Sequence, residues 1–147
     1  KVRDFKNCTK KCKDYERILT GLTRNRDELY DRINKRVDIL VQEGLFKEVE
    51  DLLEMGLTED DISMKGIGYK EIIAYFDGLY TKEETIDLIK KNTRHLAKRQ
   101  LTWFRRYNDM HWFNISDYKD DQTAVKELIS WLKSKLEYTT KATSRTI

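Results

Sequence analysis

The chain has 147 residues, enough for one domain with a core of its own. It carries 29 Lys and Arg against 26 Asp and Glu, a net charge of +3, so it is no overall polycation and the distribution of charge matters more than its sum. No run approaches the roughly 18 apolar residues of a membrane span, and no secretory pattern opens the chain, so no membrane is expected and the cytoplasm is.

In chain order, residues 1–14 hold Lys1, Arg3, Lys6, Lys10, Lys11 and Lys13 with little apolar content and read as a mobile loop or linker. Cys8 and Cys12 form a C-x-x-x-C without a nearby His pair, which is a poor zinc site, and free thiols in a reducing compartment are the better reading. A first residue other than Met hints at a piece of something longer. Tyr15–Leu22 has the composition of a short strand. Asn25 followed by Glu28 reads as a capping box, and Leu29, Ile33, Val37 and Leu40 follow at helical spacing up to Gly44. A second helix, L-F-K-E-V-E-D-L-L-E-M, closes at Gly56, and a third runs from near Gly68 through Y-K-E-I-I-A-Y-F to Gly78. Thr81 with Glu84 opens a long fourth helix. His111–Ile115 reads as a brief buried strand, and Thr123–Tyr138 as a last amphipathic helix with Val125, Leu128, Ile129 and Leu132 as its stripe. Residues 139–147 are expected to be a disordered tail, leaving 15–138 as the structured part.

This is a helix-rich α/β inventory of about five helices and two short strands. Two strands make a poor free-standing sheet, so they read as edge strands of a larger one whose other strands lie elsewhere.

The fourth helix carries the main functional signal. From Leu88 to Asn108 the chain runs 21 residues without a carboxylate, and seven of them are Lys or Arg. At about 100° per residue, Lys91, Arg94, Lys98 and Arg105 share one face, with Thr102 beside them. Ile86, Ile89, Leu96, Leu101, Trp103 and Phe104 fill the opposite, core side. A solvated helix face mixes signs to gain i,i+4 pairs, whereas this one excludes acids, so a cationic ridge for spaced phosphates is predicted. Within K-R-Q-L-T-W-F-R-R, residues 98–106, Lys98, Gln100, Thr102 and Arg105 are the RNA-contact candidates.

Two further groups are weaker. Arg32 and Arg36 lie four residues apart on one helix face, where two guanidiniums fork a diphosphate or pair with Glu28 or Asp31. K-G-I-G-Y-K, residues 65–70, puts glycines and lysines at a loop-to-helix junction that suits an anion or is only a turn. No P-loop, H-E-x-x-H or G-x-S-x-G occurs, and no nucleophile, general base or metal ligand is identifiable.

Taken in order, L-Y-D-R-I-N-K-R-V-D, G-L-F-K-E-V, G-I-G-Y-K-E, T-R-H-L-A-K-R-Q-L-T-W-F-R and H-W-F resemble the tRNA dimethylallyltransferase (tRNA isopentenyltransferase) family, from about Ile18 to Phe113. The A-K-R-Q-L-T-W-F-R run is highly specific. The resemblance implies the C-terminal portion of a P-loop-NTPase-like α/β fold. It implies transfer of a dimethylallyl group from dimethylallyl diphosphate to N6 of the adenine 3′ to the anticodon, with Mg²⁺ as cofactor.

Residue by residue, it implies that Arg36 meets the donor's diphosphate. It implies that Lys65, Gly66, Ile67, Gly68, Tyr69 and Lys70, and Lys98, Arg99, Gln100, Leu101, Thr102, Trp103, Phe104 and Arg105, contact the tRNA anticodon stem-loop. The family's P-loop and its proton-accepting Asp have no counterpart in this sequence, so the chain alone is expected to be inactive, and monomeric. The competing readings are a helical RNA-binding module without chemistry and a purely structural helical domain.

Overall fold

The computed structural model describes residues 17–143, with side chains to residue 136; the Lys-rich segment 1–14, Cys8, Cys12 and the last four residues lie outside the described residues. Seven elements follow one another: β1 (Leu19–Thr23), α1 (Arg26–Gln42), α2 (Leu45–Glu54), α3 (Tyr69–Phe76), α4 (Lys82–Phe104), β2 (Met110–Asn114) and α5 (Asp121–Thr143). The five helices and two strands expected are all present. The last helix continues past the Tyr138 limit that its apolar stripe suggested.

β1 and β2 pair with each other in parallel, Leu19 opposite Met110 and Thr23 opposite Asn114. A parallel pair needs a long crossover, and here α1 to α4 supply it. The tight spot in this ribbon is Gly21, opposite Trp112: a Cβ there would lie 2.6 Å from Trp112 Cε3 and 2.9 Å from Met110 Sδ. The indole therefore lies where a side chain on β1 would otherwise stand.

The main core is helical. Val37 of α1, Leu45 and Val49 of α2, Met64 from the turn before α3, Ile72 and Ile73 of α3, and Ile89 of α4 form one buried cluster. Val37 and Leu40 of the predicted stripe both meet it. A smaller cluster fastens α5 to β2. Phe113 and Ala124 are buried there, and Trp131 packs edge-on to Phe113 at 5.6 Å and stacks on His111 at 4.4 Å.

The two predicted helix starts behave differently. At α4 the Glu84 N–H donates to Thr81 Oγ1 at 3.2 Å and the Thr81 N–H to Glu84 Oε2 at 2.8 Å, which holds the Glu84 carboxyl below its usual range. At α1 the box is not made. Asn25 Oδ1 instead accepts from Asn114 Nδ2 at 3.0 Å, and Glu28 accepts from the Ser116 hydroxyl and from Arg24 at 2.5 Å. Partners at the end of β2 and just beyond it outcompete the local cap, tying the start of α1 to the end of the sheet.

Candidate nucleic-acid interface

Only the first half of α4 faces the main core, where Thr85 and Ile89 are its buried residues. That decides what becomes of its cations. Lys90 bonds Asp38 of α1 at 2.6 Å, and Arg94 donates to Asn34 of α1 at 2.6 Å with its guanidinium 5.9 Å from the Tyr30 ring centre. Arg94 is thus half-buried between two helices and leaves the predicted ridge. The acid-free run was a property of one helix, and α1 supplies the missing partners across the interface.

Beyond that point the cations are exposed. Lys98, Arg99, Arg105 and Arg106 stand in solvent, as does Lys91, and none of them pairs with a carboxylate among the described residues. The Thr102 hydroxyl spends its hydrogen on the Lys98 carbonyl at 2.9 Å and keeps its lone pairs free.

Trp103 and Phe104 correct the sequence reading. They are 53% and 43% exposed, not core, and Leu96 is exposed with them. The Arg106 guanidinium carbon sits 3.2 Å from the Trp103 ring centre. A helical angle places all three residues on the apolar side, but it carries no information about how far along the axis the core extends. The core ends near Ile89 and these side chains overrun it.

Three concavities surround this helix end. One, about 600 Å³, holds Lys98, Arg99, Thr102, Trp103 and Arg106, together with His95. A second, about 530 Å³ and largely apolar, has Gln100, Leu101 and Phe104 on one side and Gly21, Trp112 and Arg32 among the rest. The third, about 420 Å³, lies between α4 and the start of α1, with Lys98, Leu101, Thr102 and Arg105 facing Arg26, Leu29 and Tyr30. Residues 98–105 therefore all border open space. Arg26 and Tyr30 are additions that sequence reading missed, because α1 comes beside α4 only in the folded chain.

The K-G-I-G-Y-K segment is elsewhere. Ile67 packs on the main core, while Lys65 and Lys70 point outward. Gly68 has φ +103°, a conformation that favours glycine, and its N–H donates to Glu71 Oε2 at 2.7 Å. Glu71 is 3% exposed and also accepts from Asn92 Nδ2 of α4 at 2.7 Å. The anion at this helix start is the protein's own, and it bolts the loop to α4. The Tyr69 hydroxyl donates to Glu48, which raises its pKa.

Arg36 has a side chain 64% exposed, 3.9 Å from Glu43, and it borders none of these three concavities. Arg32, one turn earlier, does border the apolar one. No group of three or more His, Cys, Asp or Glu among the described residues converges on a metal-sized site. No helix among them is long and apolar enough to cross a membrane.

A parallel strand pair linked through helices, with an exposed cationic end on its longest crossover helix, defines the class of this chain as α/β. The family is more particular than that: the profile of the IPP transferase family matches residues 1–107, and the chain belongs to this family. The tRNA dimethylallyltransferase of Alkaliphilus oremlandii is 51% identical over 118 residues, covering 80% of this chain and 38% of that protein. That of Clostridioides difficile is 46% identical over 137 residues, covering 93% and 44%. The crystal structure of the full-length tRNA isopentenylpyrophosphate transferase from Bacillus halodurans superposes with a TM-score of 0.79 at 45% identity, covering 86% of this chain and 41% of that one. The chain thus spans about two fifths of the length of these relatives.

Proposed function

We propose that this chain is part of a monomeric, cytoplasmic prenyl transferase that moves a dimethylallyl group from dimethylallyl diphosphate to N6 of the adenine 3′ to the anticodon of tRNA. Its family membership supports the reaction class. The observation that carries the RNA part is the tip of α4, where Lys98, Arg99, Arg105 and Arg106 stand exposed without a carboxylate partner among the described residues and Trp103 lies open beside them. Residues 98–105 then contact tRNA backbone and bases, with residues 65–70 as a second contact. An anticodon loop is single-stranded, so turning the target base out of its stack is cheap.

Arg36 is the residue for the donor's diphosphate. Charge builds on that group as the allyl C–O bond breaks, and a fixed guanidinium stabilises it most at that moment. Mg²⁺ belongs to the proposed reaction as a partner of the diphosphate, and the described residues offer no ligand cluster for it.

Two measurements test the proposal. Replacing Lys98 and Arg105 together with Gln should weaken binding of an anticodon stem-loop and flatten its log–log salt dependence by about one unit for each phosphate no longer neutralised. An unchanged slope removes the helix tip as an RNA site. In a full-length family enzyme, replacing the residue equivalent to Arg36 with Ala should lower turnover and donor binding while leaving tRNA affinity alone. Lys should restore only part, because a point charge does not reproduce a planar fork. Normal turnover in the Ala variant returns Arg36 to a surface ion pair with Glu43.

A further inference from the structure

The groove between α4 and the start of α1 carries more than the α4 segment explains. Its walls include Arg24, Arg26, Lys98 and Arg105, and no Asp or Glu among the described residues lines it, in a chain where acids nearly equal bases. Arg24 is already neutralised by Glu28 at 2.5 Å and Asp121 at 2.7 Å. Arg26 is different: it is exposed, has no carboxylate partner among the described residues, and its guanidinium lies over the Tyr30 ring at 5.1 Å from the centre. Stacking on an aromatic ring holds a guanidinium in a fixed plane without using its N–H donors. Leu29 and Leu101 give the groove an apolar floor. At about 420 Å³ the space falls within the size of clefts that hold small organic groups.

We propose that this groove is a single-nucleotide site of the bound RNA, built by α1 as well as α4. A backbone phosphate lies between Arg26 on one wall and Lys98 and Arg105 on the other, and the attached base lies on the Leu29–Leu101 floor. Tyr30 acts as a positioning residue for the Arg26 guanidinium. This inference rests on the proposed RNA-binding reading of α4 and extends it to residues outside that helix.

The test measures binding of an anticodon stem-loop RNA to the 147-residue chain across a salt series, with circular dichroism as a folding check. Lys47→Gln serves as the control for net charge, because Lys47 lies on α2 and pairs only with Glu50 and Asp51 of its own helix among the described residues. Arg26→Gln should weaken binding about tenfold at low salt and lower the log–log slope by about one unit, while Lys47→Gln does neither. Arg26→Gln and Arg105→Gln should combine non-additively, as two groups on one phosphate do. Tyr30→Leu should reproduce much of the Arg26→Gln loss, and Tyr30→Phe should not, since only the ring is needed.

If Lys98→Gln and Arg105→Gln weaken binding while Arg26→Gln behaves like Lys47→Gln, the groove is not a nucleotide site and the α4 reading stands alone. If the unaltered chain shows no salt-dependent RNA binding, both readings fall together.

Discussion

Trp103 shows how a single side chain changes role with its surroundings. Its helical angle groups it with Ile89, which is buried, yet it is 53% exposed and lies under the Arg106 guanidinium. A buried tryptophan would cost several kcal/mol to truncate. At this exposure, Trp103→Ala should lower stability by only about 1 kcal/mol or less, as measured by urea unfolding. The same change should weaken stem-loop RNA binding about tenfold, the scale of one base–aromatic stack. A large stability loss with RNA binding intact would show that Trp103 serves packing after all. Arg94 makes the converse point, since its charge marks it for solvent and Asn34 and Tyr30 draw it between helices.

Among elements, the informative joint is that between the residue 65–70 loop and α4. Glu71 is the buried hinge pin, accepting from the Gly68 N–H and from Asn92 at 2.7 Å each. Removing it strands the buried Gly68 N–H and the half-buried Asn92 amide, so Glu71→Ala should destabilise by about 2–4 kcal/mol in thermal or denaturant unfolding. Glu71→Gln should recover most of this, because its oxygen serves Gly68 and a flipped Asn92 amide presents an oxygen to its NH₂. A Gln variant as unstable as Ala would mean that the negative charge, not the hydrogen-bond geometry, holds the joint. The sheet has its own local requirement at Gly21, where the Trp112 indole occupies the space of a side chain.

For the molecule as a whole, the buried core and the exposed cationic helix tip are spatially separated. The buried cluster of α1, α2, α3 and the first half of α4 is one unit, and the strand pair with the tip of α4 is another, with far less buried apolar surface. Native-state hydrogen exchange should therefore find the slowest amides at Val49, Ile72 and Ile89 and faster ones over Leu101–Phe104 and β1. Equal protection along the whole of α4 would contradict this division. The separation suits the proposed RNA contact, because side chains at the helix tip can stay exposed without weakening the core.

The sequence by itself determined the number and type of elements, the Thr81–Glu84 cap and the family. Those signals are local: apolar spacing, Gly and cap positions, and short runs such as A-K-R-Q-L-T-W-F-R need no knowledge of distant residues. Only the tertiary structure decided that the two strands pair with each other, that Asn25 and Glu28 bond beyond their own helix, and that Arg94 turns inward while Trp103 and Phe104 face out. It also brought Arg26 and Tyr30 beside Lys98 and Arg105. The physical reason is that a helical wheel fixes the direction in which a side chain points but not what it meets there. What it meets depends on where the neighbouring helix begins and how far the core reaches along the axis.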